Sequence, residues 1–517
     1  MNKKKNPLIL GTIILTVTGF ISRIIGFFYR IFLSNTIGEE GMGIYQLIFP
    51  ISGICFALCA ASYQTAISRF VAAQSAITTN NKKNQKIVLR AGLILTILSS
   101  LIVTFILYFF STPIATYILL EERCDSLIKI LAISVPFAST HSCISGYYYG
   151  QKKTGVPAFS QLVEQCIRVF SVWLIWNIRL DNGFSLTPTD VMLGTVFSDI
   201  LTTLFMSICF FITEFELPNT KKYISTLHTF PMVQKILFLA IPLTANRLLI
   251  NILQSVEAIM IPSRLRLFGM TNEQSLSIYG VLTGMAFPFI FFPSALTNSV
   301  SVMLLPEIAQ AQASKNHEKI QKATSKSIDF CLWLGIFCTG VFLLFGHEMG
   351  EFVFDSTLAG NYITILGWLC PFMYLASTMG SILNGLGMTS TTFMHNMVSL
   401  TIRLFFVVFF IPRFGILAYL WGTLISQLVI SFLHLHTLYK NIGFHFSSFI
   451  SILIPTILTI FSGSIGKFIE NKLIIFFPFS PVLRLLVCLC AMGGSFLLFC
   501  IIYFYTSHLN RKKISHS

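Results

Sequence analysis

Six arginines stand inside long apolar stretches of the chain: Arg23, Arg30, Arg69, Arg168, Arg247 and Arg403. A guanidinium is planar and permanently charged. Its fork of N–H donors matches phosphate and carboxylate oxygens in pairs. Three acids share the apolar stretches, Glu164, Asp199 and Glu257, with Glu307 and Asp329 near their ends. A charge in such surroundings is costly and faces a cavity or a partner. The balance of the set is basic, so the cavity it implies suits an anion, phosphate above all. A cavity that handles cations should show the opposite balance. Arg23 and Arg30 are seven apart and share a helix face. Glu164 and Arg168 are four apart, so they either neutralise each other or line the cavity. Arg69 either snorkels to an aqueous surface or joins the set. Arg23 and Arg403 have no acid one turn away, which favours a hydrated cavity for both. Glu164, Asp199 and Glu257 are the candidates for a coupling proton or counter-ion.

Other chemistries find little support. His141, His395, His434 and His436 are scattered, and the cysteines form no zinc-like spacing. No metal and no other cofactor is expected. Gly385-x-Gly387 is too weak for a phosphate loop, and no Gly-x-x-x-x-Gly-Lys-Ser/Thr sequence occurs. No catalytic centre of positioned acids stands out, so the chain reads as a non-enzyme.

The elements that must hold these charges follow from composition. Of 517 residues, 54% are hydrophobic and 11% charged, with a mean hydropathy of +0.77. A soluble domain carries about 25% charged residues. An ordinary soluble enzyme and a disordered chain are both excluded; an integral membrane protein remains. Its net charge of +15 would suggest nucleic acid in a soluble protein. Here it reads as the basic excess of cytoplasmic loops, with the bilayer and not nucleic acid as partner. Buried backbone in lipid demands helices, and each crossing needs about 20 apolar residues. Breaks at charges, Gly/Pro clusters and polar runs predict fourteen: 7–37, 43–75, 87–110, 128–149, 155–178, 189–213, 236–262, 277–306, 327–346, 361–384, 391–412, 415–438, 448–468 and 482–506. The first has a basic start but no small-residue cleavage pattern, so it reads as an uncleaved helix.

The chain also repeats itself at an offset of 235 residues. Pro136-Phe137 meets Pro371-Phe372, and Ile167-Arg168 meets Ile402-Arg403. Ser142, Gly150, Thr154 and Val163 meet Ser377, Gly385, Thr389 and Val398. The unit is six helices, an even number, so both copies enter the membrane from one side. The expected fold is all-α: two parallel six-helix lobes, 1–213 and 236–438, joined by a cytoplasmic connection at 214–235. Helices 13 and 14 and a basic tail, 439–517, are an addition. Transporters built in this way bind substrate between lobes near the midplane.

The sequence also carries a family likeness. Ile21-Ser22-Arg23-Ile24-Ile25-Gly26-Phe27-Phe28-Tyr29-Arg30, Gly41-Met42-Gly43-Ile44-Tyr45 and Ala66-Ile67-Ser68-Arg69-Phe70-Val71-Ala72 resemble the stage V sporulation protein B family. That family sits in the polysaccharide-transporter branch, with lipid II flippases, of the multidrug/oligosaccharidyl-lipid/polysaccharide (MOP) superfamily. The resemblance implies a V-shaped, MATE-like cavity and alternating access. It implies a lipid-linked glycan as substrate and a role in spore cortex peptidoglycan synthesis in the cell membrane. Cell-envelope synthesis proteins are a further class of partner it leaves open. In lipid II flippases an arginine of a Ser-Arg-x-x-Gly motif lines the cavity, and Ser22-Arg23-Ile24-Ile25-Gly26 fits it. Those proteins also use an arginine in helix 8, where this chain has none. The competing readings are a multidrug cation exporter of the same fold and a non-transporting envelope scaffold.

Loop charge sets the expected orientation. Nineteen Lys and Arg fall on the side of the N-terminus, Lys3 to Lys5, Lys152, Lys319 and Lys513 among them, against seven on the other. Both termini are then cytoplasmic. A cysteine introduced beside Lys319, in a background cleared of native cysteines, should resist impermeant thiol reagents in intact cells and react after permeabilisation. Labelling without permeabilisation would invert the topology.

Overall fold

The computed structural model describes residues 7–77, 82–214, 229–444, 446–447, 449–476 and 480–516. Most of the predicted connection, and Lys3 to Lys5, Lys221 and Lys222, lie outside them. Fourteen helices are long and apolar enough to cross a membrane, and no strand occurs among the described residues. They are α1 (Ile14–Gln46), α2 (Ile48–Gln74), α3 (Lys82–Phe109), α4 (Cys124–Gly150), α5 (Gly155–Asp181), α6 (Pro188–Glu214) and α7 (Thr229–Leu267). The rest are α8 (Asn272–Phe291), α9 (His317–Phe354), α10 (Thr357–Gly385), α11 (Thr389–Phe414), α12 (Ile416–Ile442), α13 (Phe449–Leu473) and α14 (Pro481–Tyr503). The chain is a multi-pass membrane protein.

Three boundaries differ from the sequence expectation, each for a physical reason. The Gly38–Gly43 region is not a loop. Only Gly38 leaves the helical region, at φ 72° and ψ 179°, and α1 resumes beyond it to Gln46. A side chain rarely adopts that φ, whereas glycine does so freely. Helix 8 begins at Asn272, breaks at Phe292-Pro293 and resumes as Ser294–Ala313. Proline lacks the N–H that would continue the helix and crowds the preceding turn. Helix α9 has 38 residues, or roughly 57 Å at 1.5 Å each, well beyond the bilayer core. Its polar first turns, capped by Asn316 accepting from the Lys319 N–H at 2.9 Å, carry no hydropathy signal.

Packing divides the chain into two compact units, Met1–Gly280 and Val281–Ser517. In the first, α4 packs on α2, α3 and α6, and α5 on α6. In the second, α10 packs on Ser294–Ala313, α9 and α12, and α11 on α12. The same pattern recurs six helices later. One hydrogen bond repeats with it. Thr203 of α6 donates to the Phe137 carbonyl at 2.9 Å, and Ser431 of α12 donates to the Phe372 carbonyl at 2.6 Å. Phe137 and Phe372 each follow the proline of the repeated Pro-Phe pair. Helices α4 and α10 also end on Gly150 and Gly385, the same offset apart. Helix α13 joins the second unit through Lys467, which bridges Glu348 of α9 at 2.7 Å and Glu470 at 2.8 Å. Its ammonium lies 4.7 Å from the Phe345 ring centre.

The boundary at Gly280 falls within α8 because the start of that helix lies flat on α1. A Cβ on Gly43 would overlap the Leu276 carbonyl, and one on Gly280 would overlap the Glu39 carbonyl and the Gly43 nitrogen. Two glycines thus let backbones touch, as small residues do between membrane helices. Gly43→Ala should destabilise the purified protein by about 1–3 kcal/mol, the usual cost of overpacking. Gly26→Ala, with only the Gln165 amide oxygen at 4.0 Å, should be neutral or slightly stabilising. Unfolding in detergent checks both; equal behaviour of the two variants would mean the crossing is loose.

Candidate functional site

In the first unit the intramembrane charges form three groups. Arg168 of α5 donates from Nη2 to Glu164 Oε1 at 2.5 Å, one turn back on its own helix. The same nitrogen lies 3.9 Å from Asp199 Oδ1 on α6. Asp199 in turn accepts from the Ser134 hydroxyl of α4. Ser198 donates to the Glu164 carbonyl at 2.8 Å, closing α6 onto α5. The Arg168 charge also reaches Tyr29 and Tyr45 of α1. Tyr45 meets Thr195 of α6 at 3.5 Å, while the buried Tyr29 hydroxyl has no hydrogen-bond partner. Arg168, Asp199 and Ser134 therefore tie α4, α5 and α6 together. Of the two alternatives left by their spacing, Glu164 and Arg168 take the ion pair.

Arg23 and Arg30 differ. Arg30 is half-buried and close enough to Tyr45 for their charges to interact. Arg23, about two turns earlier, is exposed on α1. Among the described residues it makes no hydrogen bond or ion pair. Its fork of donors is uncommitted, in the middle of a spanning segment.

The third group lies where α2 meets α7. Arg247 donates from Nη2 to Thr65 Oγ1 at 3.1 Å. Thr65 is one turn before Arg69 on the same face of α2, and Arg69 is exposed. The two helices are further tied by Ser255, which donates to the Pro50 carbonyl at 3.2 Å. Glu257, also on α7, is buried beside Tyr279 of α8. In the second unit, Arg403 is half-buried on α11, and the buried Ser399 stands where Glu164 stands before Arg168.

Sequence reasoning missed the groups that hold these charges. Ser134, Thr195 and Tyr45 are ordinary helix residues until tertiary packing brings Ser134 to Asp199 and Tyr45 to Thr195. It also missed a polar network at one end of the first unit. Arg123 pairs with Glu40 at 2.8 Å and Glu121 at 2.6 Å. Asn272 donates to Glu121 at 2.7 Å, and Arg266 donates to Asn272 at 3.2 Å and to the Leu120 carbonyl at 3.3 Å. Ser277 donates to Glu39 at 2.6 Å. Burial pushes the Glu121 carboxyl up, but the Arg123 and Asn272 hydrogen bonds outweigh it and hold it below the usual range. Another network joins Lys153 to Glu214 at 3.4 Å, with Lys86 donating to the Glu214 carbonyl at 2.8 Å. No cluster of three or more His, Cys, Asp or Glu suited to a metal occurs among the described residues.

Comparison with known proteins agrees with this architecture. The chain is 26% identical over 444 residues to stage V sporulation protein B of Bacillus subtilis (strain 168), covering 84% of each chain. It is 22% identical over 437 residues to the lipid II flippase MurJ of the same organism, covering 77% of this chain and 76% of that one. Among solved structures, the inward closed conformation of lipid II flippase MurJ matches with a TM-score of 0.68 at 15% identity. That match covers 96% of this chain and 99% of the other. An inward-facing multidrug MATE transporter of the MOP superfamily matches with a TM-score of 0.61 at 14% identity, covering 82% of this chain and 94% of the other. The fold is thus that of the MOP superfamily. The MatE family model matches residues 242–409. The polysaccharide biosynthesis protein model matches residues 8–312, more than half of the chain, and the chain belongs to that family.

Proposed function

We propose that the protein is a flippase that carries a polyprenyl-pyrophosphate-linked glycan to the outer leaflet by alternating access, between lobes corresponding to the two six-helix repeats. The observation that carries this reading is Arg23: a permanent cation in a spanning helix, exposed and without a partner among the described residues. Such a group is costly in lipid and is answered by an anion that arrives and leaves. Arg30 on the same helix, with Arg69 and Arg247 brought near each other through Thr65, extends the basic character; Arg403 would serve the second lobe. Arg168, expected beside the others in the cavity, would hold the scaffold through Glu164 and Asp199.

A cation exporter would use uncompensated acids. Glu164 and Asp199 both lie against Arg168, which weakens that alternative. The likeness to stage V sporulation protein B supports a peptidoglycan precursor and a role in the spore cortex. The loop charges support cytoplasmic termini in the cell membrane.

Energetics fit this direction. The cell interior is negative, and each negative charge moved outward across 100 mV gains about 2.3 kcal/mol. Two pyrophosphate charges would gain roughly 4.6 kcal/mol if they crossed the whole field. The empty carrier must then return with its basic groups, and Glu164, Asp199 and Glu257 are the acids placed to modulate that step.

In proteoliposomes with a fluorescent lipid-linked disaccharide, Arg23→Ala should abolish flipping while the protein still inserts and folds. Arg23→Lys should keep part of the rate, because a point charge remains but the paired hydrogen bonds are lost. Full activity of Arg23→Ala would remove the site. Collapsing the membrane potential at fixed pH and salt should slow wild-type flipping several-fold; an unchanged rate would reject an electrogenic cycle.

A further inference from the structure

The second unit buries a pair of histidines that the anion site does not use. His434 of α12 is 2% exposed. Its Nδ1 lies 3.1 Å from the Ala376 carbonyl of α10. A carbonyl only accepts, so Nδ1 carries the hydrogen and donates it. The neutral ring then presents a bare lone pair at Nε2. That nitrogen is buried and has no partner. Unsatisfied buried polar atoms in a native fold call for a reason.

The ring beside it is His395 of α11, with centroids 5.0 Å apart. His395 is half-buried, and its Nδ1 is also buried without a partner. Its other nitrogen is not among the buried unpartnered atoms. The two rings therefore differ in access. His395 has one nitrogen toward the outside and one toward the interior, and His434 waits deeper with an empty acceptor. Space is left for it by Gly380 of α10, where a Cβ would stand 3.3 Å from the His434 ring.

The groups around the pair are almost wholly neutral. From α10 come the Ala376 carbonyl and Gly380; Tyr374, further along, turns its hydroxyl to the Ile290 carbonyl. From α11 comes Thr392, whose hydroxyl is bonded to the Met388 carbonyl at 3.1 Å. Arg403 lies eight residues beyond His395, about 12 Å along the helix. Among the described residues, the one ionisable side chain set against His434 is His395. No carboxylate answers a positive charge here, in contrast to Arg168.

The repeat sets the pair apart from the first unit. His395 stands where Ser160 stands at the offset of 235. In the sixth helices, where Ser431 takes the place of Thr203, His434 falls on Met206 and Asp199 on Gln427. Asp199 is compensated by Arg168 and Ser134, whereas His434 is a base whose Nε2 has no partner among the described residues.

We propose that His395 and His434 form a proton-binding site, taking one proton from water at His395 and holding it on His434 Nε2. The added proton fills the empty lone pair, and Nδ1 keeps its bond to Ala376. Burial without an acid disfavours the charged form, and two such rings cannot both be charged so close together, so the pair takes a single proton, only at acid pH, and titrates as a unit. The site rests on the proposed transport cycle, where it would let a pH gradient speed a return step that the membrane potential can also drive.

The test separates the two ideas. In detergent, 15N NMR of histidine-labelled protein reads the pair without any transport. His434 should pass from the neutral Nδ1–H tautomer to imidazolium as pH falls, in a step that shifts in His395→Gln. In proteoliposomes with the potential clamped at zero, a pH gradient should speed wild-type flipping several-fold. His434→Asn retains an N–H for Ala376 but lacks the base, so it should fold and lose the gradient response. Its potential-driven rate should stay within about twofold of wild type. A His434 signal that stays neutral across the pH range in which the protein remains folded would overturn the site. So would a gradient response in His434→Asn equal to wild type. If instead the pair titrates but no lipid-linked sugar moves, the proton site stands and the flippase reading fails.

Discussion

Arg168 sits deep in a spanning helix, where an isolated guanidinium would be far from any water. Its place is made tenable by Glu164 on its own helix and Asp199 on the next. A charge buried without a partner is strongly destabilising, and the partner must come from somewhere fixed. Because Glu164 is local but Asp199 and its partner Ser134 are not, satisfying one side chain requires three helices to meet. Lipid offers no hydrophobic force between helices, so polar groups and close packing carry that work. The first unit is organised around this demand.

The second unit repeats the scaffold and changes the chemistry. A hydroxyl on the sixth helix of each repeat donates to the carbonyl of a Pro-Phe pair. That bond belongs to backbone geometry, and it survives. The side chains around it do not: Glu164 gives way to Ser399 and Ser160 to His395, and the sixth helices carry Asp199 in one unit and His434 in the other at different registers. Where one repeat offers an ion pair, the other offers neutral imidazoles. In the proposed cycle the two copies would divide the work unequally, with Arg23 recognising the anion and the histidines of the second unit exchanging the proton.

Close backbone contact also shapes the molecule. The start of α8 lies on α1 through Gly43 and Gly280, and Glu39, Glu40, Glu121, Arg123 and Arg266 gather at that end of the first unit. Glycine pairs allow the approach, and the ionic network sits where water can solvate its outer atoms. The added helix α13 is held differently, by one lysine shared between two glutamates and an aromatic face.

The apolar runs determined by themselves that the chain would cross the membrane fourteen times, since each crossing needs a stretch long enough to span the hydrocarbon and helical enough to bond its own backbone. They also carried the family likeness, the offset of the repeat and the identity of the buried charges, because a charged residue is conspicuous in an apolar run. Helix ends were less legible: the turns before α9 are polar, and Gly38 interrupts α1 for a single residue. What only the tertiary structure decided was which charges are spent and which are open. Arg23 and Arg168 look alike as letters in apolar helices. One is exposed and has no partner among the described residues, and the other is met by an aspartate 31 residues further on. His395 and His434 looked scattered, 39 residues apart, until α11 and α12 packed together. Partnership in a low-dielectric interior depends on distances across helices, and those are set by packing that no single helix encodes.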